Sequence, residues 1–169
     1  MLKVGDRLPD VVLREFVEVE SEGCAIGVNR FDVSKLVAGK RIAVFGLPGA
    51  FTPTCSAKHL PGYVEHADAL RSAGVDEIWC VSVNDAYVMN AWGKANQASG
   101  KVRMMADGSA DFTKAIGLVL DRTADGMGLR SQRYSMLVED GIVKRLNVEA
   151  SGKFEVSDAA TMLNAARAG

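Results

Sequence analysis

Few side chains in this sequence can do covalent chemistry. The chain has three cysteines, Cys24, Cys55 and Cys80, and two histidines, His59 and His66. Three cysteines are too few, and odd in number, for a disulfide framework. They form no Cys-x-x-Cys pair, which argues against a zinc ribbon and against a dithiol oxidoreductase of the thioredoxin type. A cysteine/histidine metal site would need nearly all of these residues, so no metal and no cofactor is expected.

Cys55 is distinguished by its position. Residues 40–47 (KRIAVFGL) are a short apolar run ending at the Pro48-Gly49 break, the pattern of a fully buried strand. After Thr54, the apolar residues Leu60, Tyr63, Val64, Ala67 and Leu70 recur at helical spacing, with Gly74 as a stop. A thiol between them lies in the first turn of a helix. Unpaired backbone N–H groups and the positive end of the helix dipole favour its nucleophilic thiolate. In isolation the same residue reads equally well as a small buried cysteine.

Ionisation alone does not make an enzyme. A free thiol of pKa about 8.5 is several per cent thiolate near neutral pH, so complete ionisation gains only about tenfold to thirtyfold in rate. A lower pKa also weakens intrinsic nucleophilicity. A fast cysteine enzyme therefore needs donors aimed at the charge that develops in the transition state. His59, four residues after Cys55, suggests a Cys–His hydrolase, but the sequence identifies neither an orienting partner for the histidine nor an oxyanion site.

The elements that must position Cys55 come next. Residues 11–19 read as an early extended ribbon. Residues 77–83 (EIWCVSV) are a second buried strand holding Cys80, after which Asn84 or Asp85 caps a helix with Val88, Ala91, Trp92 and Ala95 on one face. Residues 102–106 predict a third strand, and residues 111–116 a short helix ending at Gly117. The glycine-rich residues 117–131 predict an irregular loop. Residues 132–138 and 142–148 flank Glu139-Asp140-Gly141 as a hairpin, and Ser157 caps a last helix with Met162, Leu163 and Ala166 inward. This order predicts an α/β fold, a thioredoxin-like three-layer sandwich with a central mixed sheet flanked by helices.

With no repeat, biased segment or linker, residues 1–169 read as one domain. Hydrophobic residues at 48% and charged residues at 24% suit a soluble globular protein. A net charge of −1 leaves no electrostatic footprint for nucleic acid or anionic membrane. No apolar run of about 18 residues spans a bilayer. Residues 1–6 lack the apolar core of a signal peptide, so a reducing cytoplasm is expected.

Residues 48–56, PGAFTPTCS, continuing through Lys58-His59-Leu60-Pro61-Gly62, resemble the peroxiredoxins, whose motif is Pro-x-x-x-Thr-x-x-Cys. The likeness is to the type II, or peroxiredoxin-5, subgroup, and Ser82-Val83-Asn84-Asp85 and Arg133-Tyr134-Ser135-Met136 match two further motifs of it in order. The resemblance implies a thiol-dependent peroxidase for hydrogen peroxide and organic hydroperoxides, with Cys55 as the peroxidatic cysteine passing through a sulfenic acid. It further implies that Thr52 hydrogen-bonds the thiolate and the peroxide, that Pro48 walls the pocket, and that Arg133 supplies a fixed positive charge. The backbone N–H groups of Thr54 and Cys55 would complete the cradle, His59 would support it, and the protein would be a homodimer.

Some members of the subgroup resolve the sulfenic acid with a C-terminal cysteine. Aligned through Asn147-Val148-Glu149, that position falls near Ser157, and no cysteine follows Cys80. A one-cysteine cycle is therefore expected, recycled by glutathione and glutaredoxin, with thioredoxin as the competing reductant. Cys80, 25 residues after Cys55, has the spacing of a cysteine in plant and bacterial relatives. It reads first as a core residue and otherwise as a resolving thiol in a thioredoxin-recycled cycle. Cys24 reads as structural or incidental. The rivals from other classes are a redox sensor or holdase without turnover, and a thioredoxin-like binding module with a degenerate site. The intact set of Pro48, Thr52, Cys55 and Arg133 speaks against the second.

Overall fold

The computed structural model describes residues 1–21 and 23–169. Among the described residues nine strands are formed: β1 (Val12–Val17), β2 (Gly27–Asp32), β3 (Arg41–Leu47), β4 (Glu77–Ser82), β5 (Arg103–Ala106), β6 (Val119–Arg122), β7 (Gly128–Ser131), β8 (Tyr134–Glu139) and β9 (Ile142–Val148). The α-helices are α1 (Val33–Leu36), α2 (Leu60–Ser72), α3 (Ala86–Ala95), α4 (Asp111–Ile116) and α5 (Ala159–Ala168). Seven strands make one mixed sheet in the order β2-β1-β5-β4-β3-β8-β9.

β3 and β4 lie in the middle and run parallel, from Ile42 opposite Glu77 to Leu47 opposite Ser82. Both are apolar along their length because helices cover both faces. Phe45, Leu47 and Cys80 point into a core closed by α2, α3 and α5, while Val44, Trp79 and Val81 point into one containing Phe112 and Ile116 of α4. The result is the three-layer α/β sandwich expected.

β8 runs antiparallel beside β3, with Tyr134 opposite Gly46. A Cβ at Gly46 would stand 2.1 Å from the ring of the fully buried Tyr134, so only glycine admits this approach. The pairing brings residue 133, just before β8, level with the end of β3, where the Cys55 loop begins.

Four sequence expectations are corrected. Residues 117–131 are not an irregular loop: β6 and β7 form a separate two-stranded hairpin closed by a 3₁₀ turn at Thr123–Asp125. Its strands are four residues each, too short to show alternation, and Gly126 in the turn and Gly128 at the start of β7 take positive φ. The last helix is capped by Asp158, which accepts from the Thr161 N–H, while the Ser157 hydroxyl donates to Glu149 instead. Asp85 caps α3, and the helix buries Ala86, Met89, Trp92 and Gly93, leaving Ala91 and Ala95 exposed. The final hairpin's first strand starts at Tyr134, because Gln132 N–H bonds to Leu118 rather than to the main sheet.

Candidate active site

The loop from Pro48 to Thr54 is held at both ends. Asn84 Oδ1 accepts from the Ala50 N–H at 3.0 Å and from the Ser82 hydroxyl at 2.6 Å, so the end of β4 fixes the loop that leaves β3. Arg130 donates to the carbonyls of Met127 and Val83, and its Nη1 lies 2.9 Å from where a Gly49 Cβ would be, so Gly49 is needed for close approach. Phe51 adopts φ 63°, a strained conformation for a bulky residue. Trp92 Nε1–H donates to Ser56 Oγ at 2.9 Å and ties α3 to the residue after Cys55.

Helical backbone starts at Pro53 and Thr54, and Cys55–His59 form a π-helical turn that runs into α2. The Leu60 N–H accordingly reaches the Cys55 carbonyl five residues back. Cys55 and His59 both have no solvent exposure. Among the described residues, the Thr54 and Cys55 N–H groups donate to no protein acceptor, as expected of an open anion cradle.

Arg133 spans the site. Its Nη2 donates to Cys55 Sγ at 3.1 Å, and its Nη1 lies 2.8 Å from His59 Nδ1. A guanidinium only donates, so His59 Nδ1 accepts and the ring proton sits on Nε2, which donates to the Ser157 carbonyl at 3.1 Å. Burial, and then the Arg133 charge, lower the His59 pKa to about 3, which keeps the ring neutral. The Phe154 ring lies 5.0 Å from His59 and 5.8 Å from the guanidinium, covering both.

Thr52 departs from expectation. Its hydroxyl donates to the Gly49 carbonyl at 2.7 Å rather than to sulfur, because the loop folds that carbonyl back over it. What Thr52 turns to the pocket is therefore an acceptor lone pair. Pro48, Thr52 and Arg133 line a cavity of about 810 Å³ that Leu120 and Met127 of the β6–β7 region and Phe154 also line. Cys80 is a free thiol with no exposure, in the centre of the sheet, and burial pushes it well above the usual thiol range. Cys24 is free and partly exposed, and pairs with Ser21 in an isolated β-bridge.

A buried thiol with a guanidinium, free N–H groups and an acceptor hydroxyl around it suits attack on the weak O–O bond of a small polar molecule. The Redoxin family model matches residues 3–163. Peroxiredoxin-2B of Arabidopsis thaliana is 46% identical over 97% of this chain and 98% of its own. The chain belongs to the peroxiredoxin family. Peroxiredoxins are thiol-dependent peroxidases, and that activity is this protein's.

The solved structures agree with the fold. Reduced Prx3 of Vibrio vulnificus, in complex with hydrogen peroxide, is 49% identical over 98% of this chain and 99% of that one, with a TM-score of 0.91. A Burkholderia cenocepacia structure is 64% identical with a TM-score of 0.95, covering 97% of both chains, and is provisionally described as a thioredoxin reductase. The chemistry of this peroxiredoxin does not follow that description, since no two of its cysteines are close enough in sequence to act as a Cys-x-x-Cys dithiol.

The sequence located Cys55, Arg133, Pro48 and Thr52 by motif, and the structure brings them together. Sequence reading left His59 with an undefined supporting role and missed Glu149, the Ser157 carbonyl as an acceptor in the network, Phe154 and Arg130. No residue type in the 149–157 segment signals its contact with α2.

Proposed function

We propose that Cys55 is the peroxidatic residue of a one-cysteine cycle recycled by glutathione and glutaredoxin. The observation that carries the first half is the Arg133 Nη2–Cys55 Sγ contact at 3.1 Å, made to a fully buried thiol. The thiolate attacks one peroxide oxygen. An S–O bond forms, the O–O bond breaks, and the leaving oxygen takes a proton and departs as water or an alcohol. Sulfur is oxidised by two electrons to the sulfenic acid. Arg133 and the Thr54 and Cys55 N–H groups stabilise the negative charge spreading onto the oxygens, and Thr52 accepts from the hydroperoxide O–H. Pro48 shields the sulfur from water. The Vibrio vulnificus relative solved with hydrogen peroxide supports this substrate, and the 810 Å³ cavity has room for organic hydroperoxides as well.

A glutathione thiolate then attacks the sulfenic sulfur, the S–O bond breaks and the departing hydroxide takes a proton to leave as water, and a second thiol reduces the mixed disulfide. Burial of Cys80 within the sheet supports this external route over a 55–80 disulfide, as does a 28% identical Plasmodium falciparum relative described as a 1-Cys peroxiredoxin. Three free thiols suit a reducing cytoplasm, and the exposed aromatic residues Phe51 and Tyr87 suit a homodimer contact. The chain acts as a single domain.

The test is steady-state peroxide consumption with glutathione plus glutaredoxin beside thioredoxin plus its reductase, in wild type, Cys55→Ser and Cys80→Ser. Cys55→Ser should be inactive, and retained turnover would sink the proposal. Loss of thioredoxin-driven turnover in Cys80→Ser, with a trapped 55–80 disulfide in wild type, would replace the one-cysteine cycle by an internal one.

A further inference from the structure

Glu149 is 7% exposed, follows β9 directly, and has no part in the peroxide chemistry described above. Its carboxylate collects four donor groups: the N–H groups of Glu155 and Val156 at 2.9 Å, the Ser157 N–H at 2.8 Å and the Ser157 hydroxyl at 2.6 Å. Burial alone would raise its pKa, but these donors hold it below the usual carboxylate range. The carboxylate therefore stays ionised and clasps the segment after β9 back onto the molecule.

The clasped segment touches the site in two ways. The Ser157 carbonyl accepts from His59 Nε2–H of the π-helical turn at 3.1 Å and from the Tyr63 hydroxyl of α2 at 3.0 Å. The Phe154 ring lies against both His59 and Arg133. Because the Ser157 carbonyl accepts from His59 Nε2–H and so fixes the proton there, His59 Nδ1 keeps its lone pair for Arg133. In the other tautomer two donors would face each other, and the guanidinium would lose its acceptor. Glu149 also holds Arg133 from behind, since its N–H donates to the Arg133 carbonyl at 2.9 Å.

We propose that Glu149 is a positioning residue for the peroxidase reaction: its carboxylate clasps residues 155–157 and, through the Ser157 carbonyl and His59, aims the Arg133 guanidinium at Cys55 Sγ. The inference rests on the reading of Cys55 and Arg133 as the reacting pair. It makes the conformation of the pocket's outer loop and the aim of Arg133 a single variable. A loop that opens releases His59, and a released His59 no longer holds Arg133.

The test compares two reactions of the same sulfur. Peroxide oxidation needs both the thiolate and an aimed Arg133, whereas alkylation by iodoacetamide on its high-pH plateau needs only the thiolate. Glu149→Gln replaces one acceptor oxygen by an NH₂ that faces the N–H donors. Hydrogen peroxide oxidation should fall about tenfold to a hundredfold while plateau alkylation changes by less than about threefold. Glu149→Asp, which keeps two acceptor oxygens, should recover part of the loss. A folded Glu149→Gln protein with the wild-type peroxide rate overturns the proposal, and so does an equal fall in both reactions. If Glu149→Gln does not fold, Ser157→Ala decides: it removes one donor to the carboxylate and should lower the peroxide-to-alkylation ratio in the same direction, and an unchanged ratio overturns the proposal. Retained turnover in Cys55→Ser is a separate result that would remove the reacting pair itself.

Discussion

Arg133 serves two acceptors at once, Cys55 Sγ through Nη2 and His59 Nδ1 through Nη1, and only a forked, planar cation can do so from one position. Lysine keeps the charge but is a single point, so Arg133→Lys should lose one contact or the other. Stopped-flow oxidation by hydrogen peroxide is expected to slow by about a hundredfold to a thousandfold, the usual cost of removing a transition-state donor. A Lys variant of near wild-type rate would mean that charge alone suffices. Cys80 poses the opposite case. Its thiol is fully buried and pushed up by burial, so it stays protonated and out of reach of a reductant. Cys80→Ala should leave glutathione-driven turnover unchanged. At this scale Cys55, Pro48, Thr52 and Arg133 were legible through the family resemblance, whose motifs fix their residue types and spacing; without it Thr52, Pro48 and Arg133 read as a loop hydroxyl, a turn former and a surface charge. The direction of the Thr52 hydroxyl was not legible, since it depends on where the loop folds the Gly49 carbonyl.

At the level of elements, the site depends on β3 and β8 lying side by side in one register. Arg133 reaches Cys55 because Tyr134 pairs with Gly46, one residue before β3 ends. The buried Tyr134 ring occupies the space of a Gly46 side chain, so Gly46→Ala must push β8 away or displace the ring. Overpacking of this kind costs about 1–3 kcal/mol, and here it also withdraws the guanidinium from the sulfur. Urea denaturation should show the loss of stability, and peroxide oxidation should fall in the protein that remains folded. A stable variant with unchanged oxidation rate would show that the register is not what places Arg133. The long apolar runs of β3 and β4 and the helical spacing of α2 were readable because burial on two faces or one leaves a strong periodic imprint. The pairing of β8 with β3 leaves none, and neither does the short β6–β7 hairpin, whose glycines mask its strands.

For the whole molecule, the buried neutral His59 couples stability to pH. Its folded pKa of about 3 lies below the ordinary 6.5, so between those values the unfolded chain holds a proton that the folded chain does not. Stability is thus fully present above about pH 6.5 and declines as pH falls toward 3, by at most about 1.4 kcal/mol per pH unit from this group. Glu149 acts in the same direction, since a carboxylate held below its usual range loses its contribution as it is protonated. The same two residues anchor the loop over the pocket, so acid should loosen the site as well as the fold. Denaturant midpoints across this pH range should fall steadily in wild type and less steeply in His59→Gln, which has no proton to take up. If both proteins show the same slope, His59 is not the group that links folding to pH. Because His59 stays neutral above its folded pKa, the peroxidase pH profile should lack a histidine limb near 6.5, which separates this protein from a Cys–His hydrolase whose histidine must exchange protons during turnover.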